Sequence, residues 1–118
     1  MITLQLPFPP SVNSYWRNVN GRTLLSVSGR KYKNEVIASV YEQLKKRPVP
    51  LEGDVSVDIK FYPPNNIKRD MDNCFKALFD SLTTARIWLD DSQIKHIESD
   101  WIDAQKDGKV LISIYKKA

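Results

Sequence analysis

The residues of this chain best equipped for chemistry are carboxylates. Asp70-Met71-Asp72-Asn73 follows the basic pair Lys68-Arg69, Lys76 stands four residues after Asp72, and a second acidic pair, Asp90-Asp91, comes after the next apolar run. Carboxylates that converge repel one another, and a hard divalent cation such as Mg²⁺ or Mn²⁺ relieves the repulsion. A cation held by Asp70, Asp72 and Asp91 would activate a water for attack on a phosphodiester and stabilise the leaving oxygen. Lys76 would oppose the charge that develops on the phosphate, and Lys68 and Arg69 would hold neighbouring phosphates. The same residues also have an ordinary structural use. Asp70 suits a helix N-cap, and Asp72 with Lys76 makes an i, i+4 surface pair worth a few tenths of a kcal/mol. The number of metal ions stays open.

The elements that must position these groups are legible from periodicity. Phe75, Leu78, Phe79 and Leu82 recur at helical spacing, which predicts a helix over Met71–Thr84 with Asp70 as its cap. Asp72, Lys76 and Asp80 form a second row beside that stripe. Upstream, Val55, Val57, Ile59 and Phe61 alternate with polar residues, a strand with one wet face. Tyr62–Arg69 is the loop that delivers the basic pair. Downstream, Trp88 and Leu89 are expected as core anchors for Asp90 and Asp91, followed by a strand over about Gln93–Ala104. Lys106-Asp107-Gly108-Lys109 reads as a hairpin turn into a closing strand, Val110–Ile114.

The first half begins with a strand, Met1–Leu6, ended by Pro7-Phe8-Pro9-Pro10. Ser11–Leu25 shows no clear period and reads as a loop. It carries Tyr15, Trp16, Arg17 and Arg22, a mixture that stacks on bases and holds phosphates, or in which the aromatics pin the loop to the core. Ser28 caps a second helix, about Gly29–Lys46, stopped by Pro48. The order β-α-β-α-β-β predicts an α+β domain spanning 1–118, with one mixed sheet and two helices packed on one face.

Composition narrows the chemistry. At 118 residues and 42% hydrophobic content the chain can bury a core, and its net charge of +4 permits a nucleic-acid partner. One cysteine, Cys74, and one histidine, His96, exclude a disulfide framework, a Cys-rich zinc site and a His-based metal site. Any metal is therefore held by oxygen. No apolar run reaches membrane-spanning length and no signal segment opens the chain, so a cytoplasmic protein with no membrane partner and no small-molecule cofactor is expected.

Taken together, Lys68-Arg69-Asp70-Met71-Asp72-Asn73, Lys76-Ala77, Phe79-Asp80 and Trp88-Leu89-Asp90-Asp91-Ser92-Gln93 resemble the RusA family of Holliday junction resolvases. Pro9-Pro10-Ser11-x-Asn13, Gly21-Arg22 and Ser28-Gly29-x-x-Tyr32 extend the likeness over nearly the whole chain. The resemblance implies a small homodimeric Mg²⁺-dependent endonuclease, phage- or prophage-associated, that cuts four-way DNA junctions symmetrically. It implies Asp70, Asp72 and Asp91 as catalytic acids, Lys76 as the helix lysine and Asp90 as a lesser contributor. The basic run before Asp70 is shorter than the family's best-known member has, with Ile67 in place of a base. Paired cuts related by the junction's two-fold axis also call for two acidic clusters, hence two chains. Two other readings stay open: a metal-dependent nuclease for other branched or single-stranded DNA, and a junction-binding module that does not cleave.

Overall fold

Alternation in the sequence becomes one buried sheet face in the structure, a computed structural model describing residues 1–117. Val55, Val57, Ile59 and Phe61 of strand β4 (Val55–Tyr62) are all buried. Their register partners on β6 (Lys109–Lys116) are apolar too: Ile114 opposite Val57, Ile112 opposite Ile59 and Val110 opposite Phe61. On the far side of β6, β1 (Ile2–Leu6) sets Leu4 against Ile112 and Leu6 against Val110. Period-2 side chains on three strands thus fall on one face, while Ser56, Lys60, Thr3 and Gln5 take the other. The fourth strand, β5 (Ile94–Trp101), pairs parallel to β4 at the sheet edge, giving the order β1-β6-β4-β5.

Two helices close the apolar face. Helix α2 (Val27–Leu44) buries Tyr32, Val36 and Val40, and α3 (Phe75–Thr84) buries Ala77, Leu78, Phe79 and Leu82, all within one core cluster with the strands. The expected α+β architecture with a mixed sheet is what forms. Because β4 and β5 are parallel, α3 runs back along the sheet to join the end of one to the start of the other.

Several local expectations change. Ser11–Leu25 is not a loop but a short helix, α1 (Val12–Tyr15), and a hairpin, β2 (Trp16–Val19) with β3 (Arg22–Leu25). Asn20 and Gly21 turn it with φ of 51° and 77°, the positive pair of a type I′ turn. Most of the hairpin is exposed, so its strands have no apolar alternation to announce them. Conversely, Asp107-Gly108 does turn, with φ of 67° and 66°, yet it does not join paired strands: β6 inserts between β1 and β4 and does not pair with β5. The α2 cap is Ser26, not Ser28, since the Ser26 hydroxyl accepts from the Gly29 N–H at 2.9 Å. Ser28 instead donates to the Ser14 carbonyl at 3.1 Å. Gly29 is required there, because a Cβ would collide with the Tyr15 carbonyl oxygen. The helix ends at Leu44, with Lys45 left-handed at φ 60°.

Candidate active site

The start of the acidic helix is the first departure from ordinary use. Asp70 has the extended backbone of an N-cap, but its side chain makes no capping hydrogen bond. Met71–Cys74 winds as a 3-10 turn, and α-helical bonding begins only at Phe75. The turn is tied down through backbone and sulfur. The Asn73 N–H donates to the Asp70 carbonyl at 3.2 Å, and the Ser99 hydroxyl on β5 donates to Met71 Sδ. Buried Cys74 roots it in the core. Nor does Asp72 pair with Lys76; among the described residues the ion pair is Lys33–Asp80 at 3.0 Å. Asp70 and Asp72 are therefore exposed carboxylates on a rigid turn that the fold does not consume.

Asp70 lines a cleft of about 270 Å³ with Phe8, Pro9, Ser11, Asn13, Lys68, Arg69 and Asn73. The folding of β1 into the sheet brings Pro9 to Asn13 here, so two motifs far apart in the chain share one cavity. Lys68 is exposed beside it. Arg69 is not free in the same sense. Its guanidinium donates to the Asn65 and Ile67 carbonyls at 3.2 and 3.0 Å and to Asn65 Oδ1 at 2.9 Å, with Phe8 beneath it at 5.5 Å. Arg69 thus builds the loop that presents Lys68 and Asp70, leaving only part of its fork for a phosphate.

Lys76 is exposed one turn into the helix, its Nζ 5.6 Å from the Trp16 ring centre. Arg17 and Arg22 are exposed on the hairpin. Arg17 lies opposite Leu24 and Arg22 opposite Val19, so the two arginines share the outer face while Trp16 and Leu25 face inward.

Asp90 and Asp91 lie elsewhere. Trp88 is buried and donates its indole N–H to Thr83 Oγ1 at 2.6 Å, as expected of an anchor, but Leu89 is 63% exposed and anchors nothing. The Asp90 carboxylate accepts from the Ser92 N–H at 3.3 Å and closes a capping box with Gln93, whose Nε2 in turn reaches the Leu51 and Gly53 carbonyls. The Ser92 N–H holds the Asp90 carboxyl below its ordinary range. Asp90 is a cap; Asp91 beside it is the spare acid. Both sit where β4 and β5 begin, whereas Asp70 follows the loop where β4 ends. The eight residues of β5 between these levels amount to about 25 Å. Within one chain Asp91 does not join Asp70 and Asp72, and among the described residues no three His, Cys, Asp or Glu side chains gather as a metal site. The donor set itself suits a hard cation: unbonded carboxylates, with the asparagines of the cleft beside them.

Residues 7–115 match the family model described as Endodeoxyribonuclease RusA. The chain belongs to the RusA family. It is 34% identical over 112 residues to the crossover junction endodeoxyribonuclease RusA of Shigella sonnei (strain Ss046) and to that of Escherichia coli (strain K12), covering 95% of this chain and 92% of each relative. The enzyme of the same name from Enterobacteria phage 82 is 34% identical over 111 residues, with 94% and 91% covered. Among the described residues no helix is long and apolar enough to cross a membrane. Membership in an endodeoxyribonuclease family brings with it a divalent metal cofactor in general terms.

One group in this RusA-family chain was invisible to sequence reasoning except as a position on a row. Asp80 joins three helices: the Tyr15 hydroxyl donates to its Oδ2 at 2.5 Å and Lys33 pairs with the same oxygen. Burial pushes the Asp80 carboxyl up, but Tyr15, Lys33 and Lys76 outweigh it and hold it below its ordinary 3.8. Burial and the Asp80 carboxylate together push the Tyr15 hydroxyl well up. Since the folded value of Asp80 is depressed, its contribution to stability is present above the unfolded value and is lost as pH falls through the folded one. Asp80→Ala is expected to cost about 1–3 kcal/mol at pH 7, chiefly by orphaning the buried Tyr15 hydroxyl. Urea unfolding from neutral pH to about pH 3, below the ordinary carboxylate value, checks it. The wild type should lose its advantage over the variant toward the acid end, and a gap that stayed constant with pH would remove Asp80's charge from the account.

Proposed function

We propose that this chain is a Mg²⁺-dependent endodeoxyribonuclease that resolves Holliday junctions by paired symmetric cuts, as a homodimer of one catalytic domain per chain, in the cytoplasm of a bacterial or phage-infected cell. The observation that carries the reading is the pair Asp70–Asp72: exposed carboxylates unused by the fold, Asp70 lining a cleft with Lys68, in a chain whose relatives are named crossover junction endodeoxyribonucleases.

Asp70, Asp72 and Asp91 would hold Mg²⁺, with Mn²⁺ able to substitute, and the ion supplies an activated water and charge neutralisation at the leaving oxygen. The protein's own groups do the rest. Lys76 faces the negative charge that builds on the scissile phosphate. Lys68, the free part of Arg69, and Arg17 and Arg22 on the hairpin hold backbone phosphates and fix the register of the junction. Asp90 serves by capping the turn that carries Asp91.

An end-labelled four-way junction and a linear duplex of the same sequence, each with Mg²⁺ or EDTA, test the reading. Expected are symmetric nicks in opposed strands of the junction with Mg²⁺, none with EDTA and none in the duplex. Equal cleavage of the linear or single-stranded control would shift the assignment to a general nuclease. Tight junction binding with no cleavage under any divalent ion would make it a binding module.

A further inference from the structure

The β2–β3 hairpin stands out from the core, and the composition of its outer face is unusual. Residues directly opposite in the pair share a face, so Arg17 with Leu24 and Val19 with Arg22 make up the outer one. All four are exposed, Val19 at 36% and Leu24 at 39%. Among the described residues neither arginine enters an ion pair. Each strand thus offers one arginine and one apolar side chain, and the two of each kind lie on a diagonal about 7–8 Å long. A surface built only to hold phosphates needs the arginines alone. Val19 and Leu24 among them suit the apolar edge of a base, the thymine methyl above all. The hairpin is also stiff and aimed. Asn20-Gly21 fixes its tip with both φ positive. At its root the Ser26 N–H donates to the Tyr15 carbonyl at 3.0 Å, Arg30 donates to the Leu25 carbonyl at 3.1 Å, and Trp16 packs edge-on to the buried Tyr15 ring. Such a ribbon binds without first having to be ordered. That root adjoins Lys76 through the Trp16 ring.

We propose that the β2–β3 hairpin enters the major groove of the DNA arm beside the scissile phosphate and sets the sequence preference of cutting, with Val19 and Leu24 against base edges and Arg17 and Arg22 on the two phosphate walls. The inference rests on the junction-cleaving reading given under the proposed function. The major groove of B-DNA is about 12 Å wide and admits a two-stranded β-ribbon. A ribbon lying along the groove with its outer face to the bases turns one strand toward each wall. Arg17 on β2 and Arg22 on β3 then reach opposite phosphate strands, which leaves Val19 and Leu24 over the floor. Four residues per strand span about 13 Å, the length of about four base-pair steps. Because the root lies at Lys76, which faces the scissile phosphate, the apolar pair meets bases within about four steps of the cut. The arginines supply affinity whatever the sequence, and the apolar pair supplies the choice.

A pool of four-way junctions randomised around the exchange point, cleaved to low conversion with Mg²⁺ and sequenced at the new ends, tests this. The wild type should favour some sequences by about tenfold or more within about four base pairs of the cut. Val19→Ser combined with Leu24→Ser should flatten that preference to about twofold. Arg17→Gln and Arg22→Gln should instead weaken binding alike for all sequences, each lowering the salt slope by about one. A profile with no preference in that window, or one that the Val19 and Leu24 double variant leaves intact, would overturn the inference, while cleavage by the same proteins would keep the functional reading. Unchanged affinity in both arginine variants would place the hairpin away from DNA, free for a protein partner, and would overturn it too. Failure of every protein to cleave would remove the functional reading and the inference with it. Dimethyl sulfate footprinting of the wild-type complex in EDTA is a readout independent of cleavage, since the reagent methylates guanine N7 in the major groove. Guanines placed in the window should be protected, and guanines as reactive as in free DNA would overturn the major-groove placement.

Discussion

Asp70→Asn is expected to slow single-turnover junction cleavage by about a thousandfold while leaving junction affinity and the unfolding midpoint near wild type. The substitution keeps side-chain size and removes one ligand charge. Loss of several kcal/mol of metal-borne stabilisation corresponds to about three powers of ten in rate. The fold should not notice, because the Asp70 side chain makes no capping hydrogen bond and is exposed. Affinity should hold or rise slightly, since a negative charge near the phosphates is gone. Asp72→Asn and Asp91→Asn should behave alike. Asp80→Asn is the control, because its carboxylate is spent on Tyr15 and Lys33 and its effect should fall on stability. Rapid-quench cleavage, gel-shift binding and urea unfolding on the four variants separate these outcomes. Near-wild-type cleavage by Asp70→Asn would sink the metal-site assignment.

Lys76→Ala should reduce single-turnover cleavage by about a hundredfold or more and change junction affinity only a few-fold. The ammonium is exposed at the first turn of α3, close to the Asp70–Asp72 turn, and is held over the Trp16 ring. Trp16 is half-buried and the ammonium over it is open to water, a contact that gains about 0.5–1 kcal/mol, so Trp16→Leu should lower cleavage in the same direction by a few-fold. Trp16 would then act as a positioning residue that works through Lys76, and in the Lys76→Ala background its replacement should cost little more. If Lys76→Ala weakened binding and left the cleavage step intact, the lysine would be a backbone anchor.

The periodic elements were legible because burial demanded their period. The strand at Val55–Tyr62 and the helix stripe Phe75, Leu78, Phe79 and Leu82 face one core, and each apolar position was recoverable from spacing alone. The hairpin at Trp16–Leu25 was missed for the opposite reason. It lies mostly in solvent, and its one signal was the Asn20-Gly21 pair, which demands a two-residue turn with both φ positive. The Asp107-Gly108 pair carries a similar signal and misleads, since a turn reports local backbone and says nothing about which strand the next one will choose.

By itself the sequence determined which side chains are available for catalysis: carboxylates at 70, 72 and 91, a lysine at 76, no second histidine or cysteine, and the family pattern that contains them. Types and spacing are local properties, and the chemistry of a hard-metal site follows from them. Tertiary structure alone decided how those groups are distributed. It freed Asp70 and Asp72 from helix capping, committed Asp90 to a cap, turned Arg69 inward on its own loop and drew Asn13 to the cleft. It also set Asp91 at the far end of a parallel strand pair. No count of residues along the chain reveals that distance, because it arises from the direction in which β5 pairs with β4.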